Sequence, residues 1–381
     1  SLMANTGTGG LTSTGAVYYN PAALAQLEGN SFSLSGSAYL RFRFEGKPIA
    51  TIAGTDLEYR GSGLSTIPTS AIGVRRRGSW HLAFSFMVPM QFNFEGQETW
   101  NIPLNGQNLK IKLLQNYQEK IFLGGLTAAR RLGNGWSVGL TLYGRAYNYL
   151  SAIDLRGGIT ENPDLLVQST SRQKIAPVDL LLIGGLHRSW EKWNLGLRLA
   201  APSIYLFGKG DYYEYFFSNL GGAIESSELD IERNKTKFRT PLDVRLGTVH
   251  RPNEKWQLAL DVAYRFPLEY DVYDDERIDR REDTKGNFRL NGGFEFQPKE
   301  RMAFYGGASY TPTTLQETDE LFGQDFWSLF GGAKLFTEHI ETSIGLFYSR
   351  GKGEGDLAVG EGTATQLYEY LGLVLGTNYR F

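Results

Sequence analysis

Counted back in twos from its last residue, the chain alternates. Phe381, Tyr379, Thr377, Leu375, Leu373 and Leu371 fall on one side; Arg380, Asn378, Gly376, Val374 and Gly372 fall on the other. A period of two means an extended strand whose faces meet different surroundings. The pattern recurs upstream. Trp256, Leu258, Leu260, Val262, Tyr264 and Phe266 oppose Gln257, Ala259, Asp261, Ala263 and Arg265. Trp193, Leu195, Leu197 and Leu199 oppose Asn194, Gly196, Arg198 and Ala200, and the stretches from Trp136 and Phe288 behave alike. Strands are expected over 31–45, 69–77, 79–94, 119–131, 136–152, 166–190, 193–207, 227–250, 255–274, 284–297, 301–311, 323–337, 339–353 and 364–381.

A large soluble all-β protein would alternate too. Two features favour a wall that crosses a bilayer. The best runs last about nine to eleven residues, which is what a tilted strand needs to span the hydrocarbon. Four tryptophans (Trp80, Trp136, Trp193 and Trp256) open strands just after tight polar turns, where an interfacial aromatic girdle belongs. Short connections near 77–78, 133–135, 191–192, 252–254, 298–300 and 337–338 alternate with longer polar ones near 46–68, 95–118, 153–165, 208–226, 272–284, 312–322 and 352–363. That alternation is the arrangement of short periplasmic turns and external loops. The terminal strand, ending on an aromatic residue, resembles the closing strand of a Gram-negative outer-membrane barrel. The expected fold is an all-β transmembrane antiparallel barrel of about fourteen strands in the bacterial outer membrane, its signal peptide already removed.

Composition is compatible with this. Mean hydropathy is -0.30, as when lipid-facing and lumen-facing residues average out, and no run approaches the roughly 18 apolar residues of a spanning helix. The formal charge of -2 gives no reason to expect nucleic acid as a partner. Cysteine is absent, so no disulfide enters the fold.

Residues 1–30 do not alternate, and they separate from a barrel domain at 31–381. They read as Gly/Thr-rich, then aromatic, then "PAALAQL", in which Asn20 suits an N-cap and Pro21 the first helical position. Such a segment has two homes, the periplasm or the lumen, and fourteen strands enclose a bore too wide for wall side chains to fill. "AVYYNPAALAQLEGNSFSLSGS", from Ala16 to Ser37, resembles the amino-terminal hatch and first strand of the long-chain fatty-acid transporter family of FadL/TodX type. Asn20, Pro21 and Ala22, with Tyr18 and Tyr19 before them, carry the likeness. The resemblance implies a plugged barrel that takes up hydrophobic small molecules passively, long-chain fatty acid or a similar apolar compound, with sideways release into the membrane. The short connections motivate a second reading: a non-transporting barrel that scaffolds a secretion or assembly complex.

The lumenal face mixes charge with aromatics. Tyr143, Arg145, Tyr147, Arg198, Tyr305, Phe330 and Phe347 are candidates for a ligand path, with an arginine for a carboxylate head group. The alternative is that the charges pair across the wall and hydrate the bore. Pro89 interrupts the third strand, and a proline there marks a bulge or an edge. In the resembled family this is where the wall opens sideways. Pro177, Pro202, Pro241 and Pro267 also fall inside expected strands, so termination at the outer rim competes with that reading. Segment 211–220 is the most aromatic stretch: a capture loop, a lid, or strands continuing above the membrane. Segment 271–283 reads as solvated loop charge or a lipopolysaccharide contact. The four histidines sit near strand ends away from any nucleophile or paired acid, so no catalytic residue, cofactor or metal site is expected. Expected partners are a hydrophobic ligand, outer-membrane lipid and lipopolysaccharide, and the barrel-assembly machinery through the last strand, with the barrel itself monomeric.

Overall fold

A computed structural model describes residues 3–10, 13–36, 39–66, 70–104, 106–219, 222–314, 323–356 and 363–381. Among the described residues, helix is confined to α1 (Ala16–Tyr19) and a single 3-10 stretch, Pro21–Gln26. Strands follow as β1 (Ser31–Gly36), β2 (Tyr39–Ile52), β3 (Thr55–Thr66), β4 (Ser70–Arg77), β5 (Trp80–Leu104), β6 (Gln107–Gly133), β7 (Trp136–Ile159), β8 (Asn162–Ser189), β9 (Trp193–Ala200) and β10 (Ile204–Ser218). They continue as β11 (Glu225–Lys235), β12 (Asp243–Asn253), β13 (Trp256–Arg265), β14 (Leu268–Asp271), β15 (Arg281–Thr284), β16 (Asn287–Lys299), β17 (Met302–Thr311), β18 (Asp325–Phe336), β19 (Ile340–Asp356) and β20 (Thr363–Arg380).

Fourteen of these close an antiparallel ring in the order β1-β4-β5-β6-β7-β8-β9-β12-β13-β16-β17-β18-β19-β20 and back to β1. Closure is made by β1 on β20, where Ser31 faces Arg380 and Gly36 faces Leu375. Four further strands stand above the ring. β2 and β3 form a hairpin on the upper part of β20, and β10 and β11 form one on the upper part of β8.

Several connections expected as loops are ladder. The 95–118 stretch carries β5 and β6, paired as far as Leu104 opposite Gln107, and 153–165 carries β7 and β8 to a turn at Thr160–Glu161. At 24 to 28 residues these four strands far exceed the roughly ten needed to cross a bilayer. The expected loops at 46–68 and 208–226 hold the two extra hairpins. Their outer face is polar while the other is buried, with Leu57, Tyr59 and Ile231 on it, so period two survives. Parts of the expected loops at 312–322 and 352–363, namely 315–322 and 357–362, lie outside the described residues.

The tops of these hairpins form a roof. Ala50 and Leu57 from β2 and β3 pack with Ile102, Leu109, Ile111 and Ile159 in one buried cluster. On the lower wall the outward face is exposed and apolar, with Phe84, Leu126, Leu140, Leu199, Leu246, Leu290, Leu329 and Leu346 on it. The inward face at the same level is buried and mixes polar or small residues, Ser85, Thr127, Ser137, Thr141 and Ala129, with Ile72, Leu123 and Ile183. Something therefore fills the barrel there.

Pro202, Pro241 and Pro267 fall in the breaks between β9 and β10, β11 and β12, and β13 and β14. Pro177 stays within β8, opposite Gly208. Pro89 differs. Met87 pairs with Leu123 but Met90 with Ile121, so β5 gains one residue over β6. That is a bulge, and because side chains alternate, everything above it turns to the other face.

The chain lacks cysteine, so ring closure is open to a direct test. Residues opposite each other in antiparallel strands have Cα atoms about 4.5–5.5 Å apart, within disulfide range. A Ser33→Cys/Asn378→Cys variant is expected to cross-link on oxidation and to migrate as a circularised chain on denaturing gels. A chain that remains linear would break the proposed β1–β20 seam.

Candidate functional site

The floor of the lumen is the amino-terminal segment itself. Asn20 turns the chain between α1 and the 3-10 stretch, and it is fully buried. Its Oδ1 accepts from the Ala22 N–H at 3.1 Å, capping the 3-10 turn, while Nδ2 donates to the Thr8 carbonyl at 2.7 Å and to the Leu186 carbonyl on β8 at 3.2 Å. Helical pieces this short leave most carbonyls without an internal partner. The wall supplies donors: Thr141 Oγ1 to the Val17 carbonyl (2.8 Å), Arg198 Nε to Tyr18 (3.1 Å), Ser137 Oγ to Ala22 (2.9 Å) and Arg131 Nε to Ala25 (2.5 Å). In the other direction, Asp261 Oδ2 accepts from the Gly7 and Thr8 N–H groups, each at 3.0 Å.

What lets this backbone lie so close is a set of three glycine pairs facing each other across neighbouring strands. They are Gly139 with Gly185, Gly196 with Gly247, and Gly293 with Gly307. The first pair lies against Asn20–Ala22, the second against Thr8 and Gly9, and the third against Met3 and Ala4. A Cβ on Gly196 would fall 1.7 Å from the Thr8 carbonyl oxygen, and one on Gly247 2.5 Å from the Gly9 nitrogen. Inward glycines in a strand mark the close approach of another backbone, and these mark a track for one. Apolar contact completes the fit: Val17, Leu24 and Leu27 pack with Ile72, Met87, Leu123, Tyr143 and Ile183.

Above the floor the wall is strongly basic on one side. Asp243 bonds both Arg198, at 2.7 Å, and Arg289. Arg245 lies directly opposite Arg198, and Arg265 directly opposite Asp243. Like charges directly opposite each other destabilise a sheet unless a counter-charge is shared, and Asp243 is that charge. Next to this group Arg145 is held by Asp179 at 2.6 Å, both nearly inaccessible, and its guanidinium lies 4.6 Å from the ring centre of Phe238.

The upper lumen is lined with rings. Phe42 contacts Phe92 (4.8 Å between centroids), Phe94 (5.8 Å), Tyr370 (5.2 Å) and Tyr368 (5.9 Å). From Phe92 the series passes to Tyr117 (5.4 Å), then Tyr149 (5.3 Å), Tyr147 (6.4 Å) and Phe238, stacked at 3.8 Å. The Pro89 bulge makes this possible: below it the even-numbered Phe84 and Phe86 point outward, and above it Phe92 and Phe94 point inward. The β4–β5 ladder runs to Ser70 opposite Met87. Higher up, β3 meets β5 through side chains, Tyr59 packing on Phe94 and Trp100 Nε1 donating to the Glu58 carbonyl at 2.9 Å, and among the described residues no ladder joins the two.

Sequence reasoning located some of these residues. Tyr143 and Arg198 are inward, but both bond the amino-terminal segment, Tyr143 through its hydroxyl to the Val17 carbonyl at 3.2 Å. Arg145 and Tyr147 converge on Phe238 above them. Tyr305, Phe330 and Phe347 lie on β17, β18 and β19; Tyr305 packs with Met3, and Phe330 stacks on Phe347 at 5.8 Å. Phe42, Phe92, Phe94, Tyr117, Tyr149 and Phe238 had no individual signal. Their faces depend on a bulge and on upper strands that polarity disguised. Segment 211–220 is largely β10, with Tyr212 and Phe216 inward and Tyr213 and Tyr215 outward. Segment 271–283 is not simply solvated charge. Val272, Tyr273 and Ile278 are buried against Tyr147, Ile175 and Ile231, so this loop tucks into the mouth. At its exposed turn, hydrogen bonds from Arg277 hold the Asp275 carboxyl down at about 2.

The Asp261 contact gives a direct test. Asp261→Ala leaves two buried N–H groups without an acceptor, at about 1–3 kcal/mol each. The variant barrel is expected to fold, while its first thirty residues become sensitive to added protease under conditions in which the parent resists. Equal protection in both would show that Asp261 does not hold the segment.

No protein-family model and no curated protein matches the sequence. Solved structures do. The toluene transporter TbuX of Ralstonia pickettii superposes with a TM-score of 0.66 at 13% identity, over 100% of this chain and 97% of that one. The Pseudomonas putida toluene transporter TodX gives 0.65 at 15% identity, over 100% and 97%. A Pseudomonas aeruginosa FadL homologue gives 0.63 at 15%, over 99% and 96%. At such identities the likeness is one of fold. It extends over essentially the entire chain, amino-terminal segment included, and the fold is that of FadL-type barrels.

Proposed function

We propose that this protein is an outer-membrane channel for the passive uptake of hydrophobic small molecules. The observation that carries the reading is the vertical order of the lumen. A series of aromatic rings stands above, a basic group lies in the middle, and a backbone segment docked on glycines closes the floor. Rings offer an apolar ligand a path with large contact area and little rearrangement. The apolar outward face and the short turns on one side support an outer-membrane barrel with those turns towards the periplasm. Residues 1–30 then act as a hatch, and the unladdered stretch between β3 and β5 above Pro89 gives a ligand stopped by it a way out towards lipid. The excess of arginines around Asp243 suits a ligand with an acidic head, fatty acid among them. The fold neighbours described as toluene transporters support apolar cargo.

Liposome uptake tests this reading. Entry of an apolar ligand into protein-bearing vesicles is expected to outpace protein-free ones, and equal rates would end the transport proposal. Deleting 1–28 tests the hatch separately. Ladder bonds of the wall belong to residues from Ser31 onward, so the deletion is expected to leave a folded barrel with raised single-channel conductance. A deletion variant as closed as the parent would remove the hatch from the mechanism.

A further inference from the structure

The outward face of the wall dips at one place near the short-turn end. Register aligns Trp136, Arg188, Leu195, Thr248 and Leu260 in one row across β7, β8, β9, β12 and β13. The row above it reads Val138, Leu186, Leu197, Leu246 and Val262. Thr248 is the short side chain amid leucines, and its hydroxyl is engaged by the Asn194 carbonyl at 3.2 Å. A groove of about 510 Å³ results, lined by Leu186, Leu195, Leu197, Leu246, Leu260 and Val262 around that threonine. Sites for small molecules are of this size, roughly 300–1,000 Å³.

Arg188 stands at the groove's lower lip. Its guanidinium lies 4.4 Å from the ring centre of Trp190 and 5.0 Å from that of Trp136. Among the described residues no carboxylate pairs with it, and its Nε is buried without an acceptor. A cation fixed between two indoles on an apolar surface is oriented but not neutralised. Facing lipid, that is costly unless an anion comes from the lipid side. The charge and the groove adjoin, so one molecule with an anionic head and an apolar tail satisfies both.

We propose that this is a binding site for a glycerophospholipid of the leaflet on the short-turn side, with the phosphodiester on Arg188 and one acyl chain along the leucine groove. The proposal rests on the membrane placement argued above, and it concerns the outside of the wall rather than the transport path. Arg188 contributes the bidentate donors that a phosphate accepts, and Thr248 contributes the space.

Native mass spectrometry of the full chain released from mild detergent tests it. The probes are phosphatidylglycerol, diacylglycerol with the same chains, and glycerol phosphate. The parent is expected to retain one phosphatidylglycerol and little of the other two. Arg188→Gln should lower retention about tenfold, as the loss of a charge-assisted bond implies. Thr248→Leu should lower it as well by filling the floor, and both variants should keep the heat-modifiable gel mobility of a folded barrel. Equal retention of diacylglycerol, or unchanged retention in both variants, overturns the proposal. Retention of glycerol phosphate alone also overturns it, because the site would then hold free phosphate rather than lipid. A chain that takes up neither detergent nor any lipid would instead overturn the membrane placement itself.

Discussion

A closed hydrogen-bond ring is the constraint on which the rest of this structure depends. An edge strand would leave a row of N–H and C=O groups unpaired, and the sheet avoids this by returning to its own first strand. Here β1 meets β20 to do so. Once fourteen strands close, the interior is too wide to fill from the wall, and the protein must settle what occupies it. The lower part is occupied by chain, the upper part by side-chain rings. On one side the floor is backbone docked on backbone, which is why the wall there is glycine, threonine and serine; on the other, Val17, Leu24 and Leu27 pack on Ile72, Leu123 and Ile183. A leucine-filled interior would exclude the segment, and an arginine-filled one would hydrate it. Three glycine pairs with a few hydroxyls and one carboxylate allow close approach while bonding the exposed peptide groups.

The same ring makes the Pro89 bulge consequential. In a closed ladder one extra residue cannot be absorbed at an edge, so its effect runs up the strand as a reversal of faces. Below it β5 offers phenylalanines to the outside; above it, to the lumen. One irregularity therefore supplies part of the aromatic lining.

The wall was legible in the sequence because an apolar outer face and a differently lined inner face enforce period two, and the tryptophans at 80, 136, 193 and 256 marked where strands begin. Asn20 and Pro21 were legible because capping chemistry is local. The tall upper ladders were not, since polar residues interleave with the buried Ile102, Leu109, Ile111 and Leu113: "QETWNIPL" and "QNLKIKL" read as loop although they pair with each other. The glycine pairs were half legible. Gly139 and Gly196 each sit three residues after the tryptophan that opens their strand, on the lumenal face. That they meet partners across the strand is a matter of register, and register comes from ring closure, not from either strand alone.

This also decides which lumenal residues can belong to a ligand path. Tyr143 and Arg198 point inward at the right height, yet their polar atoms bond carbonyls of the amino-terminal segment. A group already bonded to the floor is available to cargo only when the floor moves. Arg145, Tyr147 and Phe238 stand above that level and join the ring series without holding the segment. Arg245 and Arg265 add positive charge that Asp243, already bonded to Arg198 and Arg289, does not fully balance. Two tiers follow from the bonding alone: Arg145 is fixed by Asp179 independently of the segment, whereas Arg198 is shared between the Tyr18 carbonyl and Asp243. Lifting the segment would leave Arg198 paired with Asp243 alone, so the hold on the floor and the charge balance around Asp243 are coupled through one guanidinium.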